Sequence, residues 1–132
     1  MSAISIMTKS KPPKEAPGYK TLEWEGDSKG VFCDFPDAVQ QDAGFQLSKV
    51  QRGDPADNFK PMGTVGAGVV ELIVNDEDGW FRIFYVAKFP PAVYVLHAFQ
   101  KKTNTTAAGD IEKGRKRYSE LVARLRADKI IK

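Results

Sequence analysis

At 132 residues, with 42% hydrophobic and 28% charged residues, the chain has the make-up of one globular domain that buries a core without disulfides or metal. Its apolar runs fall far short of a membrane span and no signal-peptide pattern opens it, while the single cysteine, Cys33, excludes an internal disulfide and fits a reducing cytoplasm. A net charge of +3 hides an uneven distribution: nine basic residues between Lys101 and Lys129 stand against four acidic ones, whereas Glu71 and Asp76 to Asp78 form an acidic patch upstream.

Residues 1–18 contain Lys9, Lys11, Lys14 and three prolines with little to bury, and read as a disordered arm before a domain spanning 19–132. Lys20 to Glu25 alternates, with Leu22 and Trp24 on one side, as a half-buried strand does. Ser28 is placed to cap a short helical turn that holds Phe32 and Cys33, the latter read as a buried structural thiol. Pro36 opens a longer helix in which Val39, Ala43, Leu47 and Val50 recur at helical spacing, and Gly53 ends it. The segment from Asp54 to Gly68, with two prolines and three glycines, reads as a long loop.

Val69 to Asn75, Trp80 to Lys88 and Ala92 to Gln100 read as three consecutive strands, separated by the Asp76–Gly79 turn and by Pro90-Pro91. They form an antiparallel meander. Ala107 to Ala127 is an amphipathic helix that buries Ile111, Tyr118, Leu121, Val122 and Leu125. Strand alternation puts Ile73 with Val69 and Glu71, opposite the uniformly apolar Val70, Leu72 and Val74, so Ile73 is expected on the open side of the sheet.

Cations at strand positions are the candidates for chemistry. Arg82 shares a side with Trp80, Phe84 and Val86, while His97 shares one with Val95, Phe99 and Lys101. The meander can therefore gather Arg82, His97 and Lys101, and a fixed array of positive charge suits a polyanion such as RNA. RNA cleavage by attack of a 2′-hydroxyl needs a group to take the 2′ proton, a cation for the developing phosphoryl charge and an acid for the leaving 5′ oxygen. Arg82 suits the charge-stabilising part, and Lys101 or Lys102 can neutralise phosphate. His97, the only histidine, titrates nearest neutrality; the competing reading is a hydrogen-bonded core histidine. Arg82 and Lys101 are both expected to be at least partly exposed.

The strings Leu96-His97-Ala98-Phe99-Gln100-Lys101-Lys102-Thr103, Lys60-Pro61-Met62, Gly66-Ala67-Gly68-Val69-Val70-Glu71-Leu72 and Asp78 to Phe89, with the closing Lys113–Leu121 helix, resemble the phage-derived HigB-like toxins of the RelE superfamily. The resemblance runs in order from Trp24 to Leu125. It implies an α+β, RelE-like fold: an antiparallel curved sheet, made of the three-strand meander plus the N-terminal strand, with helices packed on one face. It implies that Arg82 and Lys101 lie in an active site and that Lys60, in the family's Lys-Pro element, joins Lys102 in RNA binding. It further implies a ribosome-dependent mRNA endoribonuclease that needs no metal or cofactor and whose partners are mRNA on the ribosome and a helix-turn-helix antitoxin encoded nearby. Ile73 and Asn75 stand where relatives often carry basic residues, and the start of the last helix lacks a tyrosine. These departures favour a second reading, a non-catalytic protein that keeps the RNA or antitoxin contact. No Gly-rich phosphate loop, His/Cys metal spacing or Ser/Cys nucleophile motif is present, and no membrane partner is expected.

Overall fold

The computed structural model describes residues 19–101 and 107–132, so the expected arm at residues 1–18 and the candidate Lys102 lie outside it. Chain order gives β1 (Thr21–Trp24), α1 (Ser28–Cys33), α2 (Asp37–Gln51), β2 (Phe59–Pro61), β3 (Val69–Asp76), β4 (Gly79–Val86), β5 (Ala92–Lys101) and α3 (Ala108–Ala127). The strands make one curved, open sheet in the order β1-β5-β4-β3-β2. The meander forms as the alternation dictates, and the α+β architecture is compatible with a RelE-like fold.

Three features differ from the sequence-based expectation. The sheet is mixed, because β1 runs parallel to β5. The expected Asp54–Gly68 loop contains an edge strand, β2, antiparallel to β3. The helices also divide between the two faces. Val39, Ala43, Leu47 and Val50 of α2, with Phe32 of α1, pack on Leu72, Val74, Phe81, Ile83, Tyr85, Val93 and Val95, which we call the first face. Leu121 and Leu125 of α3 pack on Val69, Phe84, Val86, Tyr94 and Leu96, the second face. A β4–β5 pair with apolar residues buried on both of its surfaces explains the division, since both need cover.

Local chemistry sets the ends. Pro36 precedes the first turn of α2, and Gly53, at φ +95°, takes the left-handed conformation that turns the chain away from it. Ser28 lies inside α1 rather than capping it, and its hydroxyl donates to the Val95 carbonyl (3.3 Å). Cys33 is exposed, not buried, because the turn presents Phe32 to the core instead. Gly114 of α3 lies so close to Phe84 that an added Cβ would fall 2.8 Å from the ring. That glycine lets the last helix settle directly on the sheet.

Two arginines tie α3 down further. Arg117 donates to the Leu96 carbonyl (3.0 Å) and to Asp27 (2.7 Å), and Arg124 grips Glu25 with both terminal nitrogens at 3.0 Å. Much of the basic excess counted from Lys101 onward is thus engaged within the molecule. Among the described residues no helix is long and apolar enough to cross a membrane.

Candidate functional site

Register now places each candidate. On the second face, three rows cross the sheet perpendicular to the strands. Lys60, Glu71, Phe84 and His97 are successive Cα partners in one row. Ile73, Arg82 and Phe99 form the next, and Asn75, Trp80 and Lys101 the third. Paired residues share a face, so Arg82, His97, Lys101 and Lys60 all come to the same side. The expected companionship of Val95 with His97 fails. A bulge leaves Leu96 between the pairs Phe84–His97 and Tyr85–Val95, and so turns Val95 to the first face.

Arg82 lies at the centre and is 0% exposed, contrary to the expectation of an accessible guanidinium. Its Nη1 donates to Glu71 Oε1 at 2.8 Å, and Glu71 is also fully buried. Lys60, 47% exposed, approaches the same carboxylate oxygen at 3.5 Å from the sheet edge. Trp80 lies against Arg82, with its ring centroid 5.8 Å from the guanidinium carbon. A carboxylate buried to this degree needs its cations, and the pair needs to be kept whole.

His97 and Lys101 meet through a residue the sequence did not single out. Asp110, in the first turn of α3, accepts from His97 Nε2 at 2.9 Å through Oδ1 and from Lys101 Nζ at 2.8 Å through Oδ2. His97 is only 4% exposed and stacks on Phe99, ring centroids 4.8 Å apart. Burial lowers its pKa below the ordinary 6.5, more than the Asp110 hydrogen bond and charge raise it. Burial pushes the Asp110 carboxyl up, but the hydrogen bonds from Lys101 and His97 outweigh it and hold the group below its usual range. At neutral pH the imidazole is therefore neutral, the carboxylate charged and the lysine its counter-ion.

The site thus consists of two ion-paired clusters, Lys60–Glu71–Arg82 and Lys101–Asp110–His97, joined by Phe84 and Phe99. Of the cations, Lys60 and the quarter-exposed Lys101 are the ones within reach of a ligand. The sequence reading missed Glu71 and Asp110 as members. A signal existed for Glu71: the Glu77–Asp78 turn fixes the hairpin register, which sets Glu71 diagonal to Arg82 on the same face. Asp110 had none, because its partners depend on how α3 docks. Among the described residues no group of His, Cys, Asp and Glu side chains could hold a metal ion. A concavity of about 490 Å³ opens on the first face near Val50, Phe59 and Tyr85, away from both clusters.

A family model described as phage-derived protein Gp49-like matches residues 31–119, which takes in every candidate residue and both carboxylates. No curated protein matches the chain. The chain belongs to the phage-derived Gp49-like family, which is associated with RelE- and HigB-like toxins and linked to toxin–antitoxin systems.

Proposed function

From that membership, we propose that this protein is the toxin of a HigB-like type II pair, a cytoplasmic, ribosome-dependent endoribonuclease that cuts mRNA and is restrained by a helix-turn-helix antitoxin encoded nearby. The observation that carries the reading is the convergence of Lys60, Arg82, His97 and Lys101 on one part of the second face. Lys101 and Lys60 meet the phosphates, since both are accessible from the sheet surface. Arg82 contributes its charge from beneath them and holds Glu71 in place. In cleavage the 2′ hydroxyl gives its proton to water as its oxygen attacks the adjacent phosphorus, the P–O5′ bond breaks with the 5′ oxygen taking a proton from water, and Lys101 stabilises the charge gathering on the phosphoryl oxygens of the resulting cyclic phosphate. Lys102, outside the described residues, is assigned to RNA binding by its place in the sequence motif.

Inducing the chain with and without the neighbouring gene tests the reading, together with mapping of mRNA ends in a translating extract. Growth arrest, relief by the neighbour and new ends within ribosome-bound mRNA are expected. Arrest should be lost in Lys60→Ala/Lys101→Ala, with the fold retained. Translation that proceeds undisturbed at high toxin levels would sink the proposal.

A second reading has its own observation. Arg82 and Lys101 are each already paired with a carboxylate, and Ile73 and Asn75 offer no charge on β3. That near-neutral patch suits a protein that binds RNA or antitoxin without cutting. Such a protein would arrest no growth yet still bind its neighbour.

A further inference from the structure

A lysine at the end of a strand is a flexible point charge, and its four-carbon stem ordinarily samples many rotamers. Lys101 and His97 lie four residues apart on the same side of β5, about 13 Å along the strand, too far to touch each other through their backbones. One carboxylate arriving on α3 takes both, Oδ1 on the imidazole and Oδ2 on the ammonium. We infer that Asp110 is the positioning residue of this site, fixing Lys101 and His97 relative to each other and to the first turn of the last helix.

The inference rests on the cleavage reading for what the positioned lysine does. The geometry asks for an explanation on any reading. A carboxylate on a phosphate-binding face repels its ligand, and in a site built for RNA affinity alone Asp110 would be a defect. Its benefit is orientational: it holds the ammonium and fixes the neutral imidazole with the proton on Nε2. The other ring nitrogen, Nδ1, is buried with no hydrogen-bond partner among the described residues. With Nδ1 unsatisfied, the Nε2 hydrogen bond to Asp110 is the polar anchor of the ring among the described residues. Phe99 stacked beneath and Phe84 alongside complete the seat. The charges around the imidazole are Asp110, Lys113 and Arg117 of α3 and Lys101 of β5, with Glu71 and Arg82 beyond Phe84.

Two measurements on the full chain decide it. The first is the proton titration of His97 by NMR, unambiguous because the chain has a single histidine. Asp110→Asn should lower the His97 pKa further, by on the order of one unit, because the carboxylate that favours the imidazolium is gone. Lys101→Met should raise it, because Asp110 then serves the imidazole alone, and Asp110→Glu should keep it near the parent's. The second is cleavage set against RNA binding. Asp110→Asn should cut ribosome-bound mRNA on the order of a hundredfold more slowly while binding RNA as tightly or more so, and Asp110→Glu should restore part of the rate. An unchanged His97 titration in both Asp110→Asn and Lys101→Met overturns the inference, as does a parallel fall of binding and cleavage. Should the parent cut no mRNA at all, the cleavage reading fails by itself, and the opposite shifts of His97 still decide whether Asp110 couples the two side chains.

Discussion

The two faces of the sheet are built on different principles. The first is an unbroken apolar surface, with Leu72, Val74, Phe81, Ile83, Tyr85, Val93 and Val95 covered by α1 and α2. The second is apolar under the middle and end of α3, and beyond them carries two ion-paired clusters, one holding two fully buried charges and the other closed by Asp110 of the first turn of α3. An apolar face tolerates exchange of one aliphatic residue for another of similar volume. A face held by buried charge does not, because each member is stable only while its partner stays. The candidate site was thus built at the cost of tolerance.

Arg82→Ala breaks that contrast most sharply. It withdraws the guanidinium from a buried carboxylate and leaves Lys60, 3.5 Å away, as the nearer cation described. A loss of about 3–5 kcal/mol is expected, comparable with the roughly 2–5 kcal/mol of Leu72→Ala on the first face. Urea unfolding should show both. The distinguishing variant is the double change Glu71→Leu/Arg82→Met, which should recover most of the stability lost in Arg82→Ala. No double change at Leu72 offers an equivalent. If Arg82→Ala melts like the parent, the pair is not structural.

The second face should also be the acid-labile one. Burial depresses the His97 pKa in the folded state, so the unfolded chain takes up this proton first as pH falls. The contribution is therefore fully present above about pH 6.5 and is lost as pH drops through the lowered folded value. Within that window the slope stays below about 1.4 kcal/mol per pH unit, the limit for a single proton. Melting curves from pH 7.5 to 5 should show the decline in the parent and a flatter profile in His97→Gln. At alkaline pH the first-face Tyr85, pushed up to about 12 by burial, loses its contribution as pH rises from 10 through that value.

The arginines that seat α3 give smaller effects and separate buried from exposed contacts within one helix. Arg117 is 14% exposed and serves the Leu96 carbonyl as well as Asp27, and Arg117→Ala should cost about 1–3 kcal/mol. Arg124, about half exposed, should cost no more than about 1 kcal/mol despite its two-pronged grip on Glu25. A larger loss from Arg124 than from Arg117 would mean that geometry outweighs burial here.

Legibility divides along the same lines. The β3 alternation is legible in Val70, Leu72 and Val74, because apolar periodicity is a local property and these three do join the first-face core or pack against it. The spacing of Val39, Ala43, Leu47 and Val50 revealed α2 for the same reason. The bulge at Leu96 was hidden, since an extra apolar residue between Val95 and His97 satisfies either face. The burial of Arg82 was hidden because an arginine reads as a surface charge until Glu71 is seen beside it. Asp110 reads in the sequence as charge opposing a basic segment, whereas its effect comes from where the helix docks.

Ile73→Arg is the gentlest change and the one that reads the site's outer border. Ile73 is half-buried on the second face, directly across from Arg82, and its alternate neighbour on β3 is Glu71. A second guanidinium beside Arg82 costs a few tenths to about 1 kcal/mol as a like-charge cross-strand pair, and the Glu71 carboxylate nearby offsets part of it. The domain should therefore fold with a slightly lower melting temperature. If RNA crosses this row, the salt dependence of binding should steepen by about 0.7–0.9 log units per log unit of salt, one added phosphate contact. Cleavage should then quicken by up to roughly a hundredfold if a missing cation on β3 limits the rate. A variant that folds, binds with the parent's salt slope and cuts no faster would leave Ile73 outside the RNA footprint. The isoleucine would then be a border of the site, shielding the Glu71–Arg82 pair from water.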